Sequence, residues 1–233
     1  MIFIDNPNRS DYEKIVKRPV LDLSKIRKVV KPILKEVRKN GDKALIHFTE
    51  QFDGVRIDDL VVSAETLADA EFEISDKLRR AIDTAYDNIK IFHEAQIDQG
   101  IEVETMPGVI CRRKSVPITH VGLYIPGGTA PLFSTVLMLG VPANIAGCKE
   151  IVLCTPPNKK GKIHPAILYA AHKCGITKVI KCGGAQAIAA MAYGTDSVPA
   201  VYKIFGPGNQ YVTAAKQLIS LEGVAIDLPA GPS

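Results

Sequence analysis

Beyond Pro117 the chain repeats one unit, an apolar strand, a glycine-rich turn and an alanine-rich helix, and few folds accommodate that pattern. The first unit is Thr119-His-Val-Gly-Leu-Tyr124 followed by Ile-Pro-Gly-Gly128, with one helix over about 131–139 and another after Pro142. The second opens on Ile151-Val-Leu-Cys154 and passes through a proline-rich loop to a helix over 165–173. The third is Lys178-Val-Ile-Lys-Cys182, Gly183-Gly184 and a helix over 186–193; the fourth is Val201-Tyr-Lys-Ile-Phe205, Gly206-Pro-Gly208 and a helix over 209–220. A last strand over 224–228 precedes Pro229-Ala-Gly-Pro-Ser233. Strands separated by helices must be joined by right-handed crossovers in a parallel sheet, so residues 118–233 are expected to form a Rossmann-like α/β domain. Ligands of such sheets lie beyond the strand C-termini, where these turns fall.

Residues 1–117 read differently. Ile26, Val29, Val30, Ile33, Leu34 and Val37 follow helical spacing, with Ser24 as N-cap, Asn40-Gly41 as a stop and Pro32 as a break or kink, which predicts two short helices. A third helix is expected over 42–52, a short strand over 60–62, and a long amphipathic helix over 75–99 carrying Leu78, Ile82, Ala85, Ile89 and Phe92 on one face. Strands over 101–104 and 109–113, separated by Pro107-Gly108, predict a hairpin.

With 233 residues, 46% of them hydrophobic, the chain can bury a sizeable core, and disorder is not expected. The net charge of +4 is mild and the charges are interspersed, which argues against a nucleic-acid binder; the basic stretch over 25–39 reads as the solvated face of a helix. Five cysteines with no CxxC pair suit a reducing compartment and predict free, mostly buried thiols. The first residues lack a secretory pattern and no apolar run reaches membrane-spanning length, so a cytoplasmic protein without a membrane partner is expected.

Three strand-end residues are candidate ligand contacts. Asn209, in Gly206-Pro-Gly208-Asn209-Gln210-Tyr211, sits where an N-cap belongs, so simple capping competes with ligand contact. Tyr211 replaces the third glycine of the dinucleotide fingerprint, which leaves the usual pyrophosphate pose unlicensed. Gln186 follows Gly183-Gly184 and can offer both donor and acceptor to a carboxamide or ribose, against the alternative of a solvated first-turn side chain. Tyr124 puts an aromatic with a polar tip at the cleft lip, or is a core tyrosine with its hydroxyl satisfied nearby. The histidines at 47, 93, 120, 164 and 172 have no paired ligand spacing, His93 and Glu94 read as polar-face residues, and neither an acyl-transfer triad nor a P-loop occurs.

At these turns the sequence resembles the histidinol dehydrogenase family. The resemblance is carried by Phe52-Asp-Gly-Val55, Asn88-Ile89 with Phe92-His93, Val121-Gly-Leu-Tyr-Ile-Pro-Gly-Gly128, Ser134-Thr-Val-Leu-Met138, Pro142-Ala143 with Ala146-Gly-Cys148, Thr155-Pro-Pro157, Gly183-Gly-Ala-Gln-Ala-Ile-Ala-Ala-Met-Ala-Tyr-Gly194, Ile204-Phe-Gly-Pro-Gly-Asn209, Tyr211-Val-Thr213, Lys216, and Asp227-Leu-Pro-Ala-Gly-Pro-Ser233. It implies NAD as cofactor at Tyr124, Gln186 and Asn209, and a substrate contact at Ser233. It also implies oxidation of L-histidinol to L-histidine by two hydride transfers through an enzyme-held aldehyde, with zinc orienting the substrate and a Glu-His pair handling protons. The family's zinc ligands, its Glu-His pair and the tail of its domain-swapped homodimer belong to sequence beyond Ser233. By the same resemblance this chain is an N-terminal part, residues 1–117 begin a larger α/β domain left incomplete, and activity of the chain alone is not expected. A non-catalytic nucleotide-binding module is the alternative, and a purely structural dimerisation fragment a third. Apolar surface left exposed in the N-terminal segment, and hence association, is expected.

Overall fold

A computed structural model describes residues 4–17, 23–128 and 130–228. A short 3-10 turn at Arg9–Asp11 leads into α1 (Tyr12–Ile15), α2 (Ser24–Asn40), α3 (Asp42–Asp53), α4 (Ala64–Asp69) and α5 (Asp76–Glu94). An antiparallel hairpin follows, β1 (Ile101–Met106) and β2 (Val109–Arg113). The remaining chain alternates β3 (His120–Tyr124), α6 (Phe133–Ile145), β4 (Glu150–Thr155), α7 (Pro165–Lys173), β5 (Lys178–Lys181), α8 (Gly184–Tyr193), β6 (Lys203–Phe205), α9 (Gln210–Ser220) and β7 (Ala225–Ile226).

The last five strands form one parallel sheet in the order β5-β4-β3-β6-β7. The chain steps outward from β3 to β5, then returns to the other side of β3, so the direction of winding reverses between β3 and β6. That reversal opens a crevice at the C-terminal ends of these two strands. The strands are buried because helices cover both faces. On one face α8 and α9 lie on the sheet with α2 and α3 packed outside them; on the other, α6 and α7 lie on the sheet beneath α5 and α4.

Helix α8 explains its own composition. Ala185 to Met191 are all buried, since the helix is enclosed between the sheet and the α2–α3 pair, and a helix enclosed on all sides must be apolar all round. Gly122 of β3 allows the helix to approach closely: a Cβ there would lie 2.6 Å from the Met191 sulfur. Each large side chain buried here, such as Ile188 or Ile204, contributes about 1.5–3 kcal/mol of transfer free energy.

Both predicted proline breaks are absent. α2 runs unbroken through Pro32, with Ser24 as its first residue and Leu23 in the cap position, and α6 runs unbroken through Pro142. A proline removes the bond to the carbonyl four residues earlier. Here those carbonyls belong to Lys28 and Met138, both exposed, so water can serve them. The buried stripe Val30, Ile33, Leu34 and Val37 spans the first proline and holds the helix on α8 and α9. The strand expected at 60–62 reduces to one antiparallel bridge, Val61 to Ile180, flanked by bonds from Val62 N–H to Val179 O at 2.9 Å and from Lys181 N–H to Leu60 O at 2.7 Å. Helix α4, capped by the Ser63 hydroxyl, was not anticipated, and α5 ends at Glu94, short of the expected 99.

Candidate functional site

A cavity of about 930 Å³ opens over the C-terminal ends of the central strands, and Tyr124, Gln186 and Asn209 all line it. The sheet brings together residues 124, 186 and 209 because each follows a strand of the same parallel register.

Tyr124 closes β3 and is almost fully buried. Its hydroxyl accepts the Gly184 N–H at 3.1 Å, which ties the first glycine turn to the third. Burial pushes its phenol up to about 12, against the pull of that Gly184 N–H, so the hydroxyl keeps its proton at neutral pH and remains a donor. Gln186 is 1% exposed rather than solvated, and its Oε1 has no hydrogen-bond partner among the described residues. A buried acceptor without a donor costs about 1–3 kcal/mol, which marks the position as built for something other than stability. Asn209 is the N-cap of α9: its Oδ1 accepts from Tyr211 N–H at 3.0 Å and Val212 N–H at 3.1 Å. With Oδ1 engaged in the cap, the amide nitrogen is what it can offer the cavity.

The turn between β6 and α9 is held from both sides. Gly206 has φ +130°, and a Cβ there would lie 2.0 Å from the Tyr124 carbonyl oxygen, so this position requires glycine. Its N–H donates to Asp227 Oδ2 at 2.8 Å, and its carbonyl accepts from Lys216 Nζ at 2.7 Å. Lys216 is buried and also ion-paired with Asp227 Oδ1. Burial lowers its pKa and the Asp227 carboxylate opposes that. The pair therefore anchors the two peptide planes that flank Gly206, which sets Asn209 relative to Tyr124. A smaller cavity of about 220 Å³ lies beside this anchor.

The opposite wall was not anticipated. Asp53, the last residue of α3, lines the cavity, and its Oδ2 is buried with no hydrogen-bond partner among the described residues. Burial raises its pKa and Lys159 opposes. Lys159 donates to the Asp53 carbonyl at 2.7 Å, and Lys162 lines the same wall. The signal lay in Phe52-Asp-Gly-Val55: a carboxylate at a helix C-terminus opposes the helix dipole. Of the histidines, His164 lines the cavity, where its Nδ1 accepts from Ala166 N–H and caps α7. His93 on α5 hydrogen-bonds to Gln96 just beyond that helix and is not among the residues that line the cleft. Ser233 lies outside the described residues. Among those described, no group of three or more His, Cys, Asp or Glu side chains could hold a metal ion. No helix among them is long and apolar enough to cross a membrane.

Fold and cleft together define a doubly wound α/β protein with a ligand crevice at its switch point. The chain belongs to the histidinol dehydrogenase family, which matches residues 16–233. A histidinol dehydrogenase of Bacteroides fragilis is 58% identical over 233 residues, covering 100% of this chain and 54% of its own. A histidine biosynthesis trifunctional protein of Komagataella pastoris is 50% identical over 235 residues, of which this chain covers 28%. The crystal structure of histidinol dehydrogenase from Elizabethkingia anophelis superposes with a TM-score of 0.92 at 49% identity, over 98% of this chain and 53% of that one. The chain thus spans about half the length of these single-function relatives.

Proposed function

We propose that the cleft over β3, β5 and β6 binds NAD in the oxidation of L-histidinol to L-histidine. The observation that carries this reading is Gln186: a fully buried carboxamide whose Oε1 lacks a donor, in a cavity shared with Tyr124 and Asn209. A bound dinucleotide supplies the missing donor from its carboxamide or a ribose hydroxyl. Tyr124 offers a protonated hydroxyl beside it, and Asn209 a donor amide from the cap of α9. The volume, about 930 Å³, falls in the range of cofactor sites. NAD, once bound, is the hydride acceptor; these residues hold and orient it and keep water from the buried side of the cleft. The substrate is inferred from the family.

Ser233 belongs to this reading as a substrate contact, residues 118–233 as its cofactor-side domain, and a cytoplasmic zinc-dependent homodimer as its setting. By the family resemblance, the zinc ligands and the Glu-His pair are matched by none of these 233 residues, which span about half the length of the single-function relatives. The 233-residue chain is therefore expected to bind NAD without oxidising histidinol. Calorimetric titration tests the cleft. Wild type is expected to release heat with NAD, and the Gln186→Ala, Asn209→Ala double variant to bind at least about tenfold more weakly, as the loss of two hydrogen bonds implies. Equal heats from both would refute the reading.

A further inference from the structure

Rossmann-like sheets place an acidic residue at the end of their second strand, where it takes the hydroxyls of the adenosine ribose. In this unit the second strand is β4, and it ends in Thr155-Pro156-Pro157-Asn158 with no acid. A carboxylate reaches the same region from elsewhere. Residues after the end of α3 pack on the loop that follows β4: Lys159 Nζ is bonded to the Asp53 carbonyl, and a Cβ on Gly161 would touch Ile57 and Val55. Asp53 lines the same cavity as Tyr124 at the end of β3, Thr155 and Pro156 at the end of β4 and Gly184 after β5, which puts it on the β4–β5 side of the crevice. Its Oδ2 is buried and lacks a donor, as does Gln186 Oε1, and both side chains line one cavity. Two donor-seeking oxygens in one cleft call for a ligand rich in hydroxyl or amino donors.

We propose that Asp53, supplied by a helix outside the parallel-sheet unit, takes over the ribose-reading role of the absent strand-end acid and accepts hydrogen bonds from the adenosine ribose diol. This rests on the NAD reading of the cleft. The cost of a buried carboxylate oxygen without a donor, Asp53 Oδ2, at a helix C-terminus is then offset when ligand binds. The same carboxylate disfavours a ribose 2′-phosphate, against the pull of Lys159 and Lys162 on the same wall, and so biases the site towards NAD over NADP.

The test titrates wild type and Asp53→Asn with NAD, NADP, ADP and 2′,3′-dideoxy-ADP. Wild type is expected to bind ADP about tenfold more tightly than the dideoxy analogue, the size of a charge-assisted hydrogen bond, and NAD more tightly than NADP. Asp53→Asn is expected to lose about tenfold for NAD and ADP, nothing for dideoxy-ADP, and to narrow the gap to NADP. An Asp53→Asn chain that binds NAD like wild type, or a wild type that binds ADP and dideoxy-ADP equally, overturns the role of Asp53 and leaves the NAD cleft standing. A wild type that binds neither NAD nor ADP overturns both. Should Asp53→Asn not fold, the comparison of ADP with its dideoxy analogue on wild type decides alone.

Discussion

Gln186 carries the tension between folding and binding in a single side chain. Its Oε1 is buried without a donor, so Gln186→Met, which keeps volume and removes the polar atoms, is expected to raise stability by about 1 kcal/mol while weakening NAD binding by up to about tenfold. A thermal melt and a titration of the same sample check this; a destabilised variant that binds like wild type contradicts it. Gly206 makes the opposite case. Any side chain there strikes the Tyr124 carbonyl and meets a φ of +130°, so Gly206→Ala is expected to cost about 3 kcal/mol or more, read from denaturant unfolding. Tyr124, Gln186 and Asn209 were legible in the sequence because each sits at a strand-to-helix turn and the fold sends such turns to one crevice. What was not legible was the choice between a ligand role and a structural one, since Asn209 is a working N-cap and Tyr124 has its hydroxyl bonded. Asp53 escaped notice altogether: it lies far from the sheet in sequence, and only tertiary packing brings α3 to the end of β4.

At the level of elements, α5 is fastened to α7 by one polar cluster. Asp83 Oδ1 accepts from the Tyr169 hydroxyl at 2.7 Å and from Lys173 Nζ at 2.7 Å. Burial pushes the Asp83 carboxyl up, but the Lys173 and Tyr169 hydrogen bonds outweigh it and hold its pKa below the usual 3.8. A folded-state pKa below the unfolded one means that the contribution is fully present above about pH 4 and is lost as pH falls through the folded value. Asp83→Asn is expected to flatten the acid limb of a melting-temperature profile between about pH 2 and pH 5 while leaving its shape near neutrality unchanged. An unaltered acid limb would show that the cluster is not what acid breaks. The thiols follow the same logic of burial. Cys154 and Cys182 at strand ends and Cys174 after α7 are buried, and burial holds their thiols far from ionisation, Cys174 at about 12. A thiol reagent at pH 8 is expected to label exposed Cys111 first, half-buried Cys148 more slowly, and the other three only on unfolding. The period and turn chemistry of the parallel unit gave its strands and helices within a few residues. The helix breaks at Pro32 and Pro142 were misjudged because a sequence displays the missing N–H but not the packing that spans it.

On the scale of the whole molecule, the two halves of the sequence differ in how completely they are covered. The parallel sheet is enclosed on both faces, whereas every residue of the β1–β2 hairpin is exposed, including Ile101, Val103, Met106, Val109 and Ile110. A hairpin without a third strand or a packed face is marginal in water, so its amides are expected to exchange far faster than those of β3 and β4. The exposed apolar surface expected of the N-terminal segment includes this hairpin and, on α5, Ile91 and Phe92, and extends to Val16 and Phe72. The covered half is the one that carries the cleft, so NAD binding is the property expected of it. Hydrogen exchange of the 233-residue chain with and without NAD tests that most directly. Protection is predicted at residues 125–128, 156–159, 183–187 and 208–212, with the hairpin unchanged; no protection, or protection confined to segments remote from these turns, would contradict it.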